Sequence, residues 1–180
     1  MPRGKRTASP QGEIPGGTSL GDIYDLATYQ PSRSIGSLLS RVRVEWLTAL
    51  DRELSADKRL AALEMSAAQY IVIASLAGPP EPKSAADLCK GMSYDAGAMT
   101  RMLDRLEAKG LIRRSRSAED RRLMNLELTD EGRAAYPRMR EISMLVANRF
   151  LRGFSKSEAR QLEAFLMRLM DNAQSAGREP

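Results

Sequence analysis

The hydrophobic period changes twice between residues 95 and 133, which read DAGAMTRMLDRLEAKGLIRRSRSAEDRRLMNLELTDEGR. The first part has apolar residues at helical spacing and predicts a helix over residues 96–109, capped by Asp95. Its apolar stripe consists of Met99, Met102, Leu103 and Leu106. After Gly110 the period falls to two, which predicts strands over residues 111–116 and 123–128. These residues therefore predict a helix followed by a β-hairpin.

A shorter helix is predicted just before this unit, over residues 84–90. Ser84 and Asp87 have the spacing of a capping box, and Gly91 is expected to end the helix. Two short helices followed by a two-stranded ribbon are typical of a winged helix-turn-helix. In that motif the second helix lies in the major groove of DNA as the recognition helix. The hairpin would then be the wing.

The predicted recognition helix has a second face, which carries small and basic residues. That face consists of Gly97, Thr100, Arg101, Asp104 and Arg105, with Ala96 and Ala98 beside it at the N-terminal end. The small residues let the helix backbone approach base edges, and an arginine can bond bidentately to guanine. Thr100 can donate to a phosphate or a base, and the helix N-terminus favours a phosphate. We therefore predict DNA contacts from Gly97, Ala98, Thr100, Arg101 and Arg105.

Positive charge is concentrated in the same region. The chain of 180 residues has 28 basic and 23 acidic residues, a net charge of +5. Residues 101–122 alone hold eight basic and four acidic side chains, so nearly the whole excess lies there. A basic cluster on a winged-helix pattern favours a nucleic-acid partner.

The predicted hairpin contributes arginines of two kinds. Arg113 and Arg114 alternate across the first strand, so at most one of them is expected to face DNA. Arg121 and Arg122 lie at the tip, where an arginine suits the narrow minor groove. Asp120 lies beside them and can accept a hydrogen bond that holds the loop in shape.

The rest of the chain is predicted to be helical apart from its ends. Residues 1–18 are rich in proline and glycine and are expected to be disordered, while residues 19–29 can form a short helix. Further helices are predicted at about residues 32–54, 66–77, 130–154 and 156–174. Thr129 is the expected cap of the third of these, and Pro137 is expected to kink that helix or delay its start.

Composition argues against several function classes. The chain has no histidine and one cysteine, which removes histidine-based catalysis, zinc fingers and an intrachain disulfide. No Gly-rich phosphate loop and no plausible metal cluster occur, so we expect no enzyme activity, no catalytic residues, no cofactor and no metal. No apolar run approaches the roughly 18 residues needed to span a bilayer, and no signal peptide is recognisable. A cytoplasmic location is therefore expected.

Three blocks of sequence resemble the signature of the multiple-antibiotic-resistance regulator (MarR) family. They are TRMLDRLEAKGLI at residues 100–112, DRR at residues 120–122 and LTDEGR at residues 128–133. The order of helices over residues 32–174 also fits. The resemblance implies a mainly α protein with a small β-hairpin wing, which binds double-stranded DNA at a pseudo-palindromic operator as a homodimer. Members are commonly repressors, and many release DNA when a small aromatic or phenolic ligand binds.

The resemblance also implies a domain organisation and site residues. The expected segments are an N-terminal extension (1–30), a MarR-type domain (31–174) and a tail (175–180). Within the MarR-type domain we expect a DNA-binding lobe at about residues 64–129 and dimerisation helices at about residues 32–54 and 130–174. Thr100, Arg101 and Arg105 match the family's recognition-helix contacts. Arg122, with Arg121 beside it, matches the wing-tip arginine that enters the minor groove. The N-terminal extension departs from the family pattern.

A ligand pocket and a cysteine complete the candidate sites. In this family the first two helices help to line the ligand pocket, so Arg43, Trp46 and Tyr70 are the candidate ligand contacts. Cys89 lies beside apolar Leu88 and is expected to be a buried structural thiol. Two alternatives remain open at this point. One is a winged-helix module that binds a protein instead of DNA, and the other is a redox-responsive regulator that uses Cys89.

Overall fold

The helices of the computed structural model begin and end near the capping residues that the sequence supplies. The structure describes residues 23–79, 83–92, 94–116 and 124–176. The helices are α1 (Ile35–Ala56), α2 (Ala67–Ala77), α3 (Ala85–Met92), α4 (Ala96–Ala108), α5 (Asp130–Phe150) and α6 (Lys156–Ala176). The strands are β1 (Lys83–Ser84), β2 (Ile112–Arg116) and β3 (Met124–Leu128), and short 3-10 helices cover Pro31–Arg33 and Ala61–Leu63. The chain separates into two units, residues 1–39 and residues 40–180.

Side-chain caps set the starts of α4 and α5 in the second unit. The carboxylate of Asp95 accepts the N–H groups of Gly97 at 2.9 Å and Ala98 at 3.0 Å. The hydroxyl of Thr129 accepts the N–H of Gly132 at 3.1 Å. Each cap satisfies backbone donors that have no partner inside the helix. Both predicted caps are confirmed.

The sheet has three antiparallel strands in the order β1-β3-β2. Strands β2 and β3 form the predicted hairpin, in which Ile112 lies opposite Leu128 and Arg114 lies opposite Leu126. Strand β1 is an addition to the prediction, and it pairs with the other edge of β3. A strand of two residues has no period that a sequence pattern could reveal. The turn of the hairpin, residues 117–123, lies outside the described residues.

One hydrophobic core joins α4, the sheet, α2 and α5. Its most deeply buried side chains include Val72, Ile73, Leu103, Leu106, Leu111, Ile112, Met139 and Val146. Burial of each large apolar side chain contributes roughly 1.5–3 kcal/mol. The predicted apolar stripe of α4 faces this core, with Met99 and Leu103 each 1 % exposed. The opposite face of α4 is therefore left to solvent.

The N-terminal unit differs from its prediction. The sequence allows a short helix over residues 19–29, but the described part of this segment, residues 23–29, forms a turn. Its centre is Asp25, whose carboxylate accepts the N–H groups of Ala27 at 3.0 Å and Thr28 at 2.9 Å. Aspartate bonds of this kind compete with helix formation. The apolar spacing that suggested a helix is therefore overridden by a local side-chain bond.

Two expected helix boundaries are also corrected. Gly91 lies inside α3, which continues to Met92, so this glycine does not end the helix. Pro137 lies inside α5, which begins at Asp130, so the proline does not delay the start of the helix. A kink at Pro137 stays a prediction.

Helix α6 buries none of its residues. Apolar side chains on it that are at least one-third exposed include Leu162, Phe165, Met167, Leu169 and Met170. Val42 and Val44 of α1 and Met144 and Leu145 of α5 are about half exposed. Within the described ranges, no helix is both long enough and apolar enough to cross a membrane.

Candidate nucleic-acid interface

The solvent-facing side of α4 carries the residues that the sequence predicted for it. Gly97, Thr100, Arg101, Asp104 and Arg105 are all exposed, and Ala98 is half-buried beside them. The stripe that includes Met99, Leu103 and Leu106 holds the helix in the core. The packing thus presents the predicted contact face of the recognition helix to solvent as one surface.

The N-terminus of α4 is already occupied by its own cap. Asp95 uses the N–H groups of Gly97 and Ala98, so a phosphate at this end would meet a carboxylate. The hydroxyl of Thr100 donates to the carbonyl of Ala96 at 2.8 Å. Thr100 therefore offers DNA an acceptor oxygen, and it can donate only if that intrahelical bond breaks. Both features weaken the predicted phosphate contact at the helix end.

Arg101 and Arg105 are the cations of α4 that are available to a ligand. Neither makes an ion pair with any residue that the structure describes. The guanidinium of Arg101 lies over the start of the helix, where a β-carbon on Gly97 would be 3.4 Å from its Nη1. Gly97 therefore leaves room for an arginine above the first turn. On β2, Arg116 is likewise exposed and without an ion pair in the described ranges.

Arg113 is held within the hairpin. Its Nη2 and Nε donate to Oε2 of Glu127, the residue opposite it on β3, at 2.8 and 3.1 Å. Ser115 donates to the other carboxylate oxygen at 3.3 Å. The hydrogen bonds from Arg113 lower the pKa of Glu127 despite partial burial. Arg113 therefore has a partner inside the wing.

Arg114 is held against the recognition helix instead. It donates through Nη2 to Asp104 at 2.7 Å and through Nη1 to Glu107. Its backbone N–H also donates to Glu107 at 3.3 Å. Partial burial opposes the charged guanidinium, but the two carboxylates outweigh it and raise the pKa of Arg114. Both Arg113 and Arg114 thus have carboxylate partners in this structure. The expectation that at most one of them faces DNA stays a prediction.

The base of the hairpin is joined to the start of α5 by backbone contacts. Gly110 has a left-handed φ of 70°, which allows the chain to turn from α4 into β2. The hydroxyl of Thr129 donates to the carbonyl of Gly110 at 2.6 Å, and the Thr129 N–H donates to the carbonyl of Leu111 at 3.1 Å. These contacts join two of the three sequence blocks described above, residues 100–112 and residues 128–133.

The predicted tip of the wing lies outside the described residues. Asp120, Arg121 and Arg122 all fall there, so their roles stay predictions.

The three candidate ligand contacts lie in different environments. Arg43 is exposed on α1, and Trp46 is half-buried one turn later. The Trp46 ring packs on Phe150 of α5, with ring centroids 4.9 Å apart. Tyr70 of α2 is 9 % exposed within the core. Their common role in a ligand pocket stays a prediction.

A charged cavity between the end of α1 and α5 was not anticipated. It has a volume of about 420 Å³. Across it, Asp57 binds Arg138 at 2.7 Å and Glu53 binds Arg149 at 2.8 Å. These partners are 81 and 96 positions apart in the sequence, so no spacing pattern could have shown them.

Cys89 is less buried than expected. The residue is half-buried, and it lines a surface pocket of about 540 Å³ between α3 and α4, together with Tyr94 and Thr100.

A solvent-facing helix beside an antiparallel hairpin, carried on long helices, defines a winged-helix protein. Residues 65–124 match the model of the MarR family. The chain is 30% identical to the transcriptional regulator PA3341, over 79% of this chain and 99% of that one, with a TM-score of 0.68. It is 28% identical to a mutant of MarR from E. coli in a complex with operator DNA (74% and 91% covered, TM-score 0.62). It is 25% identical to BpsR from Bordetella bronchiseptica, whose DNA binding is regulated by 6-hydroxynicotinic acid (79% and 96% covered, TM-score 0.65). The chain therefore belongs to the MarR family.

Proposed function

We propose that this protein is a sequence-specific, DNA-binding transcriptional regulator that acts as a homodimeric repressor and is released from DNA by a small aromatic or phenolic ligand. The observation that carries the proposal is the exposed face of α4, where Arg101 and Arg105 have no carboxylate partner among the described residues. A regulator of this kind works where the chromosome is, so we propose a cytoplasmic location.

In this proposal the recognition helix reads bases in the major groove. Arg101 and Arg105 bond to guanine edges or phosphates, and the small residues Gly97 and Ala98 allow close approach of the helix. Thr100 accepts a hydrogen bond through its free lone pairs. The structure of the E. coli relative in a complex with operator DNA supports DNA as the partner.

The wing is proposed to reach the neighbouring minor groove. Arg121 and Arg122 would enter it, and Asp120 would hold the loop by a hydrogen bond. The narrow minor groove concentrates negative potential, which favours an inserted arginine.

A homodimer is supported by the exposed apolar residues of the end helices. Helix α6 has no buried residue, and Phe165 on it is 54 % exposed. Apolar surface of this kind marks an interface. Pairing through segments 32–54 and 130–174 would place two lobes on half-sites about 34 Å apart, as a pseudo-palindromic operator requires.

The ligand is proposed to bind near Arg43, Trp46 and Tyr70, between the end helices and the lobe of residues 64–129. Support comes from the BpsR relative, which responds to an aromatic acid. Because Trp46 is the only tryptophan of the chain, its fluorescence reports directly on this region. Quenching by an aromatic carboxylate in the wild type would support the site if it is lost in Arg43→Gln.

The DNA proposal is tested by selection of duplexes from a random-sequence library on the full-length protein. Fluorescence anisotropy then compares a selected duplex with its scrambled version at about 50 and 200 mM salt. We expect tight binding to the selected duplex that weakens steeply with salt. Failure to enrich any sequence, with equal weak affinity for both duplexes, would contradict a sequence-specific regulator.

A further inference from the structure

Arg114 ties the wing to the recognition helix at three points. Its guanidinium bridges Asp104 and Glu107, which lie one turn apart on α4, and its backbone N–H donates to Glu107 as well. The side chain is only 26 % exposed, whereas its neighbour Arg113 is 63 % exposed. A planar guanidinium can hold two carboxylates at once, which a lysine cannot do in the same geometry.

We propose that Arg114 is a positioning residue for DNA binding: it fixes the wing at a set angle to α4 and does not itself contact DNA. The inference rests on the proposed function, since it concerns how one lobe reaches two grooves at once. The bridge formed by Arg114, Asp104 and Glu107 is called the clamp below.

The need for a clamp follows from the connection between the two DNA-reading elements. Between the end of α4 and the start of β2 the chain turns at Gly110, and Thr129 holds this base of the hairpin by hydrogen bonds to the carbonyls of Gly110 and Leu111. Farther along β2, the hydrogen bonds that reach α4 among the described residues all come from Arg114. Strand β2 has five residues, so at about 3.3 Å per residue a rotation of roughly 15° moves its far end by ~4 Å. A displacement of that size exceeds the tolerance of a hydrogen bond to DNA.

The clamp also neutralises the carboxylate of Asp104 on the contact face of α4. Asp104 is exposed on that face, next to Arg105 and one turn from Arg101. Without Arg114 its carboxylate would repel the DNA backbone or attract one of the two free arginines away from DNA. Arg114 forms ion pairs with both Asp104 and Glu107. These two carboxylates are therefore not available to Arg101 and Arg105.

The test removes the clamp without changing the net charge. The variant is Arg114→Gln/Asp104→Asn, which leaves no unpaired carboxylate at position 104 on the contact face. The matched control is Arg113→Gln/Glu127→Gln, which removes the adjacent ion pair inside the hairpin. Both are titrated by anisotropy with a duplex selected by the wild type and with its scrambled version. Circular dichroism and thermal melting establish that each variant is folded.

We expect the clamp variant to bind the selected duplex about tenfold or more weakly, comparable to the loss of a good base contact. Its affinity for the scrambled duplex should stay within about threefold of the wild type, since the phosphate-directed charge is unchanged. The control should stay within about threefold on both duplexes, because an exposed pair inside the hairpin contributes little. The conservative Arg114→Lys keeps the charge but not the bridge, so it should also lose affinity for the selected duplex.

Two results would overturn the inference alone. One is a clamp variant and an Arg114→Lys variant that both bind the selected duplex as the wild type does. The other is an equal loss of affinity for both duplexes, together with a salt dependence that corresponds to about one phosphate contact fewer. That result would make Arg114 a phosphate contact. If the double variant does not fold, Arg114→Lys decides between these outcomes. A wild type that selects no duplex would instead overturn the proposed function, and the inference with it.

Discussion

Gly132 lies directly against the backbone of Leu111: a β-carbon on Gly132 would be only 2.1 Å from the Leu111 carbonyl oxygen. Gly132 is in the first turn of α5, and Leu111 immediately precedes β2. The same carbonyl accepts the N–H of Thr129 at 3.1 Å. The first turn of α5 is therefore seated on the base of the wing, and only a glycine permits this approach.

Replacing Gly132 by alanine should unfold or strongly destabilise the lobe. The obstacle is backbone rather than a flexible side chain, so we expect a loss of about 3 kcal/mol or more in the free energy of unfolding. Gly91→Ala is the control, because it is also helical but has no heavy atom within 4 Å of the added carbon. That change should raise stability by roughly 0.5–1 kcal/mol. Urea unfolding followed by circular dichroism measures both, and similar values for the two variants would contradict the close approach.

Neutralising Arg105 should weaken DNA binding without affecting the fold. Arg105 is exposed and unpaired among the described residues, so Arg105→Gln should cost about 1–3 kcal/mol of binding free energy. If Arg105 contacts a base, the variant should lose sequence preference at one position of the duplex. If it contacts a phosphate, the slope of the logarithm of the binding constant against the logarithm of the salt concentration should become smaller by about one. Arg160→Gln on α6 removes the same charge far along the chain and should leave affinity unchanged. Equal losses in both variants would mean that net charge alone governs binding.

Much of the recognition lobe could be predicted because its signals are local. The stripe of α4, the caps Asp95 and Thr129, and the change of period after Gly110 all lie within a few residues of the feature they determine. The exposed positions of Arg101 and Arg105 follow directly from that stripe. Helix periodicity therefore indicated correctly which face of α4 is exposed to solvent.

The partners of the charged residues could not be predicted in the same way. Whether Arg113 meets Glu127 depends on the register of the hairpin, and the contact of Arg114 with Asp104 depends on how the wing folds back on α4. Both are set by tertiary packing, which has no signature in sequence spacing. A count of the charges in residues 101–122 therefore does not show which of these side chains are paired.

The ion pair between Asp57 and Arg138 should make stability depend on acid pH. One carboxylate oxygen of Asp57 accepts two bonds from Arg138, at 2.7 and 2.8 Å, and these bonds lower the pKa of Asp57. A lowered folded-state pKa stabilises the protein above the unfolded pKa of about 4, and this contribution is lost as the pH falls through the folded value.

Asp57→Asn should therefore melt at a lower temperature than the wild type at pH 7. The difference should narrow as the pH falls below the unfolded-state pKa of about 4 toward the lowered folded-state pKa of Asp57, because the wild-type carboxyl then becomes protonated as well. Asp171→Asn, at an exposed position of α6, should melt like the wild type throughout. Thermal melts at unit pH intervals provide the measurement. A gap between Asp57→Asn and the wild type that stays constant with pH would show that the carboxylate charge is not the cause.

The apolar stripe of α6 should control the oligomeric state. Phe165 is 54 % exposed, and Leu162 and Leu169 lie on the same side of the helix by its 3.6-residue period. Phe165→Glu would place a charge in the proposed interface, where an unpaired buried charge is strongly unfavourable. We expect light scattering to report a dimer for the wild type and a monomer for the variant. Ala164→Glu adds the same charge outside this stripe and should remain dimeric.

Because a dimer binds two half-sites at once, the monomeric Phe165→Glu variant should also bind operator DNA far more weakly than the wild type. A Phe165→Glu protein that remains dimeric would exclude this stripe as the interface and leave the exposed residues of α1 and α5 to supply it.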